Sequence, residues 1–162
     1  MYVDALSFLE DEREAWAPFE TLAGLSDEEL ERPRPEDGPS HGWAGRDLMA
    51  HLSAWQHVAL QAARELAVND ASPTIDRVNA DWDAIGGDEL NARILAEWRA
   101  LPLEEVRRRF TTTPGEMRGY LTVVPEARWI KSTHRLDTLL GCTLDHYAEH
   151  EEELRALVPG AL

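Results

Sequence analysis

Hydrophobic residues recur every three or four positions along most of the chain, which is the period of an amphipathic α-helix. The first segment keeps this spacing as far as Gly24, a residue suited to end a helix. The positions on this spacing are Leu6, Leu9, Arg13, Trp16, Phe19 or Glu20, and Ala23, and most of them are apolar. Ser26 and Glu29 then form a capping box that predicts one short turn of helix before Pro33.

The second helix has the clearest pattern. Its stripe is uninterrupted and includes Leu48, Leu52, Trp55, Ala59, Ala62 and Leu66, with His51 and Val58 beside it. We expect this helix to end near Asn69 and Asp70, because Ser72 and Pro73 follow and the residue before a proline avoids the helical conformation.

Residues 74–101 predict two shorter helices separated by Gly86 and Gly87. The stripe that starts at Leu103 keeps its register across Pro114, so either one kinked helix or two coaxial helices are expected there. The last helix is predicted from about residue 133 to residue 158, ending at Pro159 and Gly160. Its core face contains Leu136, Leu139 or Leu140, Thr143, His146, His150, Leu154 and Leu157.

No segment alternates polar and apolar residues long enough to predict a strand. Four long amphipathic segments joined by loops are typical of a four-helix bundle. We therefore expect an all-α protein, a four-helix bundle with extra short helices in the loops, that forms a single domain over residues 1–162. The tryptophans Trp16, Trp55, Trp82 and Trp98 are expected in its core.

Composition and charge narrow the function classes. The chain has 162 residues, one cysteine and a net charge of −15. One cysteine excludes an internal disulfide, and the negative charge would repel a phosphate backbone, so nucleic acid is not an expected partner. No apolar run is long enough to span a membrane, and the acidic N-terminus does not resemble a signal peptide, so a cytoplasmic location is expected.

The charge is unevenly distributed. Residues 1–100 carry 8 basic and 21 acidic side chains, whereas residues 101–162 carry 8 and 10. Between residues 107 and 135 basic side chains predominate. This basic segment either neutralises the acidic part of the chain, within the fold or in a dimer, or forms an anion site.

The placement of the histidines carries the main chemical signal. His146 and His150 are four residues apart, so both lie on one face of the last helix and can reach a common metal ion. His51 lies beside the apolar stripe of the second helix. Three imidazoles that point into a bundle interior need either a metal or hydrogen-bond partners, and satisfied core histidines are the alternative. His41, His57 and His134 are expected at the surface.

Other chemistries have weaker support. No Glu-x-x-His motif of a di-iron bundle is present. Residues 146–150 match the inverted zincin string His-x-x-Glu-His, but only twelve residues remain for a further acidic ligand. Cys142, one turn before His146, is either a fourth ligand, a nucleophile or a small apolar filler. Asp145 and Glu149 are either proton-transfer groups or solvated helix positions.

Two segments carry a family resemblance. Residues 43–55, WAGRDLMAHLSAW, resemble the second-helix signature of the DinB-like (YfiT-like) superfamily, and LDHYAEH at residues 144–150 resembles its last-helix His-x-x-x-His. Together with Leu90-Asn91-Ala-Arg and Leu103-Glu-Glu-Val106, they are similar to the ClbS/DfsB-type branch. The likeness extends over residues 4–158. One departure is Ala44, where relatives often have a capping serine or threonine.

The resemblance implies a four-helix bundle that binds one divalent ion through His51, His146 and His150, and it implies frequent homodimers. Relatives include isomerases and S-transferases that use low-molecular-weight thiols. Three neutral imidazoles leave the ion its charge and an open coordination position, where a bound water or thiol can be deprotonated.

The leading hypothesis is a hydrolase or thiol transferase that depends on Zn²⁺, Ni²⁺ or Fe²⁺ and acts on a small molecule. The alternative is a non-enzymatic or metal-free small-molecule binding or stress-protection protein of ClbS type.

Overall fold

The chain is described over residues 2–162 by a computed structural model, and this part is all-helical with no strand. The prediction of an all-α protein is therefore confirmed. The helices are α1 (Ala5–Trp16), α2 (Asp27–Glu31), α3 (Gly45–Val68), α4 (Pro73–Ile85), α5 (Gly87–Arg99), α6 (Leu103–Leu121), α7 (Thr133–Gly141), α8 (Leu144–Glu149) and α9 (Glu151–Leu157). Short 3₁₀ segments lie at Ala17–Gly24 and Glu126–Arg128.

The first segment buries only part of its predicted stripe: Trp16 and Phe19 are buried, but the buried face of α1 is shifted toward Phe8 and Glu12. Leu6 is 65% exposed, whereas Phe8, Glu12 and Trp16 are buried. The buried face includes a carboxylate because Glu12 has partners inside the protein, which an apolar stripe cannot reveal. Helical structure reaches Gly24 as predicted, but it narrows to a 3₁₀ helix after Trp16. Pro18 lacks the backbone N–H that an α-helix would use there.

Helix α3 is the central element. It packs most extensively against α6, and also against α5 and α4. All six predicted stripe residues are buried, and the helix ends at Val68 with Asn69 as its cap, as predicted. A Cβ at Gly45 would lie 2.8 Å from a methyl group of Leu30. Glycine at this position therefore allows α2 to pack closely against the start of α3.

The middle of the chain also follows its pattern. Helices α4 and α5 are separated at Gly86, as predicted, and Gly86 has a φ of 81°, which suits glycine. Of the two alternatives around Pro114, the structure shows a single helix, α6, with the proline inside it. Trp82, expected in the core, is instead 50% exposed, whereas Trp16, Trp55 and Trp98 are buried.

The prediction of one continuous last helix is wrong. The segment is divided into α7, α8 and α9, with interruptions at residues 142–143 and at His150. Thr143 leaves the helical region, with φ −135° and ψ −104°, and its hydroxyl bonds to the carbonyl of Leu139 at 2.6 Å. A threonine side chain that competes for a backbone carbonyl favours such an interruption. The hydrophobic period is insensitive to it, because the same side of the segment stays buried.

Two hydrophobic clusters form the core, and α3 contributes to both. Residues 48–54 of α3 belong to a cluster with Trp16, Phe110 and Leu154, and residues 55–66 belong to one with Phe8 and Trp129. His51 and Gln56, two buried polar residues of α3, lie on either side of residues 54–55, where the helix passes from one cluster to the other.

The basic segment neutralises acidic residues within the fold, which is the first of its two interpretations. In the described residues its cations pair with carboxylates of other elements as well as of their own helix, as in Arg107–Asp27, Arg118–Glu12 and Arg128–Asp70. Arg135 donates to backbone carbonyls. Within residues 2–162, no helix combines the length and apolarity needed to cross a bilayer.

Candidate metal centre

His51, His146 and His150 converge on one point. The Nε2 atom of His146 lies 2.7 Å from that of His51 and 3.1 Å from that of His150. The three ring centroids are 4.6 to 4.7 Å apart, and each pair of rings is inclined by 65° to 81°. The predicted meeting of the three side chains is therefore confirmed, and they form a group that can hold a metal ion.

The geometry suits a small divalent ion. Nitrogen ligands 2.0 to 2.1 Å from a metal lie about 3.0 Å apart at right-angled coordination and about 3.4 Å apart at tetrahedral coordination. The two observed Nε2 contacts are close to the first value, so a small opening of the group would admit an ion. Each neutral imidazole nitrogen carries one proton or one lone pair, so three contacting Nε2 atoms cannot satisfy one another fully. A cation would accept all three lone pairs at once.

Burial keeps two of these rings neutral. It lowers the pKa of His51 to about 3, with a further contribution from His150. Burial also lowers the pKa of His146 well below its ordinary value, and the neighbouring His51 and His150 add to this effect. Neutral imidazole is the form that binds metals, so the site needs no deprotonation at neutral pH.

The surroundings of the three histidines include a carboxylate that the sequence analysis missed. The Oε1 atom of Glu153 lies 3.4 Å from Nδ1 of His150, and the same contact lowers the pKa of Glu153 against the effect of burial. Metal-binding histidines usually have such a partner on the second nitrogen. Nδ1 of His150 makes no hydrogen bond despite this contact, and those of His51 and His146 also have no partner among the described residues. In the sequence, the feature that could have indicated this carboxylate is a glutamate three residues after His150.

Aromatic rings enclose the centre. Trp43 stacks on His150, with centroids 5.6 Å apart and an angle of 24°, and presents its edge to His51 at 4.8 Å. Trp55 lies 6.0 Å from His146 and donates its indole N–H to the amide oxygen of Asn91 at 2.9 Å. Rings on both sides of the histidines restrict their rotation.

Polar contacts hold the start of α3, which carries His51. Ala44 cannot cap the helix with its side chain, but the Asp47 carboxylate accepts from the Ala44 N–H at 3.0 Å. The other oxygen of Asp47 accepts from Nε of Arg99 at 2.7 Å. Arg46 donates to the carbonyls of Arg99 and Leu101. The N-terminus of α3 is thereby tied to the end of α5.

A buried hydrogen bond joins the two helices that supply His51 and His146. Nε2 of Gln56 on α3 donates to Oη of Tyr147 on α8 at 2.8 Å, and Tyr147 donates to Oε1 of Glu12 at 2.8 Å. Arg118 on α6 pairs with the second oxygen of Glu12. Burial, and after it the charge of Glu12, raises the pKa of Tyr147 well above its ordinary value. This chain of contacts fixes α8 against α3 beside the metal centre.

The remaining candidates have other environments. His41 and His134 are exposed, as predicted, but His57 is half-buried because it packs against Trp98 and lies 3.2 Å from the Gln61 amide. Cys142 is 1% exposed, and burial raises the pKa of its thiol to about 12, which agrees with the apolar-filler interpretation. Asp145 and Glu149 are exposed helix positions.

The three histidines line a cavity of about 1150 Å³. This volume exceeds the upper end of the range typical for small-molecule sites. The candidate metal centre is therefore accessible from a space that can hold an organic ligand.

Comparison with protein families, curated proteins and solved structures found no match for the chain.

Proposed function

We propose that this protein is a divalent-metal-dependent enzyme in which His51, His146 and His150 hold one ion beside a small-molecule pocket. The observation that carries the proposal is the convergence of three Nε2 atoms, two from buried histidines and one from half-buried His150, on the wall of a cavity of about 1150 Å³. Three protein ligands with an adjacent cavity are the arrangement of catalytic metal sites, whereas structural sites have four ligands and are closed.

The three histidine ligands determine which class of reaction a bound ion could catalyse. Such an ion acts as a Lewis acid and activates water or a small thiol as a nucleophile. The imidazoles contribute no negative charge, so they would not weaken this effect. We accordingly propose a hydrolase or a low-molecular-weight-thiol transferase. Imidazole ligands suit Zn²⁺, Ni²⁺ and Fe²⁺.

The proposal extends to the family and its fold type. The DinB-like resemblance rests on two segments, and the histidines they contain are the ones that meet in space. Helices α1, α3 and α6 and the segment α7–α9 have the lengths and order expected of the four members of a bundle. These observations support membership of that superfamily and a DinB-like four-helix bundle.

A second candidate function has one observation in its favour. The Nδ1 atoms of His51 and His146 lack the carboxylate or carbonyl partner that most metal-binding histidines have. Because such partners orient the rings toward an ion, their absence favours a pocket that binds a small molecule without a metal and without converting it. The ClbS-type alternative therefore remains the competing proposal.

Metal analysis separates the two. Protein purified without a histidine tag and dialysed against Zn²⁺ should hold one ion per chain. The variants His51→Ala, His146→Ala and His150→Ala should each bind Zn²⁺ at least about a hundredfold more weakly, because each removes one of three ligands. His134→Ala is the matched control: it changes an exposed histidine of the same cavity and should keep the full metal content. Circular dichroism establishes that each variant is folded. Unaltered metal content in the three variants would refute the site.

Turnover is measured separately. A screen of ester hydrolysis and thiol transfer should show activity that is lost on chelation and recovered on addition of Zn²⁺. Stoichiometric metal binding without any activity in that screen would favour the binding protein.

A further inference from the structure

The cavity beside the histidines is built from five helices, each contributing one face. Helix α5 supplies Asp88, Ala92, Ala96 and Arg99, which are spaced by three or four residues. Helix α7 contributes a face at the same spacing, and α4 contributes Trp82 and its neighbours. His51 lies on α3, His146 lies on α8, and His150 directly follows α8. The two alanines and Gly141 leave room between the larger side chains. The cavity therefore lies where the faces of these five helices meet.

Carboxylates dominate its charge. Asp88, Asp137, Asp145 and Glu149 all line the cavity and are exposed, and none of them forms an ion pair in the described part of the chain. Among the described residues, the only guanidinium that lines the cavity belongs to Arg99, and Asp47 pairs with it at 2.7 Å. A cavity wall of one charge sign concentrates counter-ions and repels ions of its own sign.

The carboxylates are not arranged for a bare metal ion. Within residues 2–162, the three histidines are the only group of possible ligands close enough together to hold one. The carboxylates are distributed over α5, α7 and α8. Such a distribution suits an organic cation, whose charge is diffuse and whose size spans several angstroms.

An aromatic wall accompanies the charges. Trp82 is 50% exposed, and its ring meets Trp55 at 6.1 Å with an angle of 67°. The face of a tryptophan attracts an ammonium group and also packs against apolar surface. Trp82 lines the cavity, and its half-exposed ring is available to a ligand there.

We propose that this pocket takes an organic cation: an amine or quaternary ammonium compound with an apolar or aromatic body. The ammonium group lies among the four carboxylates, and the body packs against Trp55 and Trp82. The inference rests on the proposed function in one respect, since it names the substrate class for the same pocket. The four carboxylates exceed the charge of a divalent ion at the histidines, so the cavity keeps its preference when metal is bound.

Three probes of equal shape and different charge test the preference. These are 2-phenylethylamine, 2-phenylethanol and 3-phenylpropionate, titrated into metal-free protein at pH 7 and followed by the indole N–H signals of ¹⁵N-labelled protein. The amine should bind at least about tenfold more tightly than the alcohol, and the propionate should not bind. The signals of Trp55 and Trp82, the latter assigned with Trp82→Phe, should shift, while those of buried Trp16 and Trp129 stay in place. Equal binding of all three probes would overturn the proposal.

Paired variants locate the site. Asp88→Asn with Asp137→Asn should weaken amine binding at least about tenfold, whereas Asp37→Asn with Asp81→Asn, which changes the net charge equally outside the cavity, should leave it unchanged. Ala96→Phe on α5 should block binding by filling the cavity. Its control is Ala84→Phe, because Ala84 lies on the face of α4 that is opposite to the cavity-lining Trp82. Equal losses in the two members of either pair would refute the assignment.

Measuring bound metal as well as bound amine separates a failure of the cation pocket from a failure of the proposed metal centre. Repeating the titration with Zn²⁺ gives independent answers for the metal and for the amine. A protein that binds Zn²⁺ through its histidines but shows no amine preference contradicts only the cation pocket. A protein that prefers the amine but binds no metal supports the cation pocket and contradicts only the metal centre.

Discussion

At the scale of single residues, His51 and His146 make the metal-free protein sensitive to acid. Burial lowers the pKa of both side chains, so the folded protein keeps them neutral while the unfolded chain protonates them below their ordinary pKa of 6.5. Stability is therefore complete above pH 6.5 and is lost as the pH falls toward the lowered value, about 3 for His51. The unfolded state binds more protons throughout this interval.

The loss should be measurable by urea unfolding of the metal-free protein. Between pH 6.5 and pH 5.5 the free energy of unfolding should fall by about 1 kcal/mol for each of the two histidines. His51→Gln should remove its share of the slope, whereas His134→Gln, at an exposed position, should leave the slope intact. An unfolding free energy that stays constant over this interval would show that the two rings are not buried as neutral bases.

At the scale of elements, the N-terminus of α3 is only half capped. The Asp47 carboxylate accepts from the Ala44 N–H, but the alanine has no side-chain acceptor for the free N–H groups of the first turn. The backbone of Ala44 already has the extended conformation of a capping residue, with φ −76° and ψ 167°. A hydroxyl placed there would complete the capping box.

Ala44→Ser should therefore stabilise the protein by about 1 kcal/mol, measured as the free energy of unfolding in urea. The same substitution at Ala80, an exposed position in the middle of α4, should not stabilise, because the N–H groups in the interior of a helix are already bonded. Destabilisation by Ala44→Ser would indicate that the closely packed start of α3 cannot accommodate a hydroxyl group.

At the scale of the whole molecule, one buried polar chain connects four helices. Glu12 of α1 is fully buried and is bound by Arg118 of α6 and Tyr147 of α8, and Tyr147 is bound by Gln56 of α3. A buried ion pair contributes little compared with apolar residues of the same shape, but removing one member leaves the other uncompensated. The arrangement of α3 and α8, and so of their histidines, depends on this chain being complete.

Arg118→Met should destabilise the protein by about 3 to 5 kcal/mol, because it leaves the Glu12 carboxylate buried without its cation. Arg64→Met is the matched control: Arg64 pairs with Glu116 at 2.8 Å on the surface, and its loss should cost less than about 1 kcal/mol. Urea unfolding of both variants gives the comparison. Equal effects would show that Glu12 does not need Arg118.

The sequence alone determined the features that depend on neighbours along the chain. The all-α class, the stripe and end of α3, the capping box at Ser26 and the division at Gly86 all follow from local spacing and from residues that start or stop helices. The selection of His51, His146 and His150 also came from position: two lie one turn apart, and the third lies beside the stripe of another helix. Periodicity carries such information because it records which side of a helix avoids water.

Only the tertiary structure decided what depends on partners far apart in sequence. The buried face of α1 includes Glu12 because its partners, Arg118 and Tyr147, come from other helices, and no local pattern can show that compensation. The interruption of the last helix leaves the hydrophobic period unchanged, so the period could not reveal it. The cavity with its half-exposed Trp82 exists only where five helix faces meet. Burial and charge compensation belong to the folded arrangement of the whole chain, and for that reason they escape a reading of neighbouring residues.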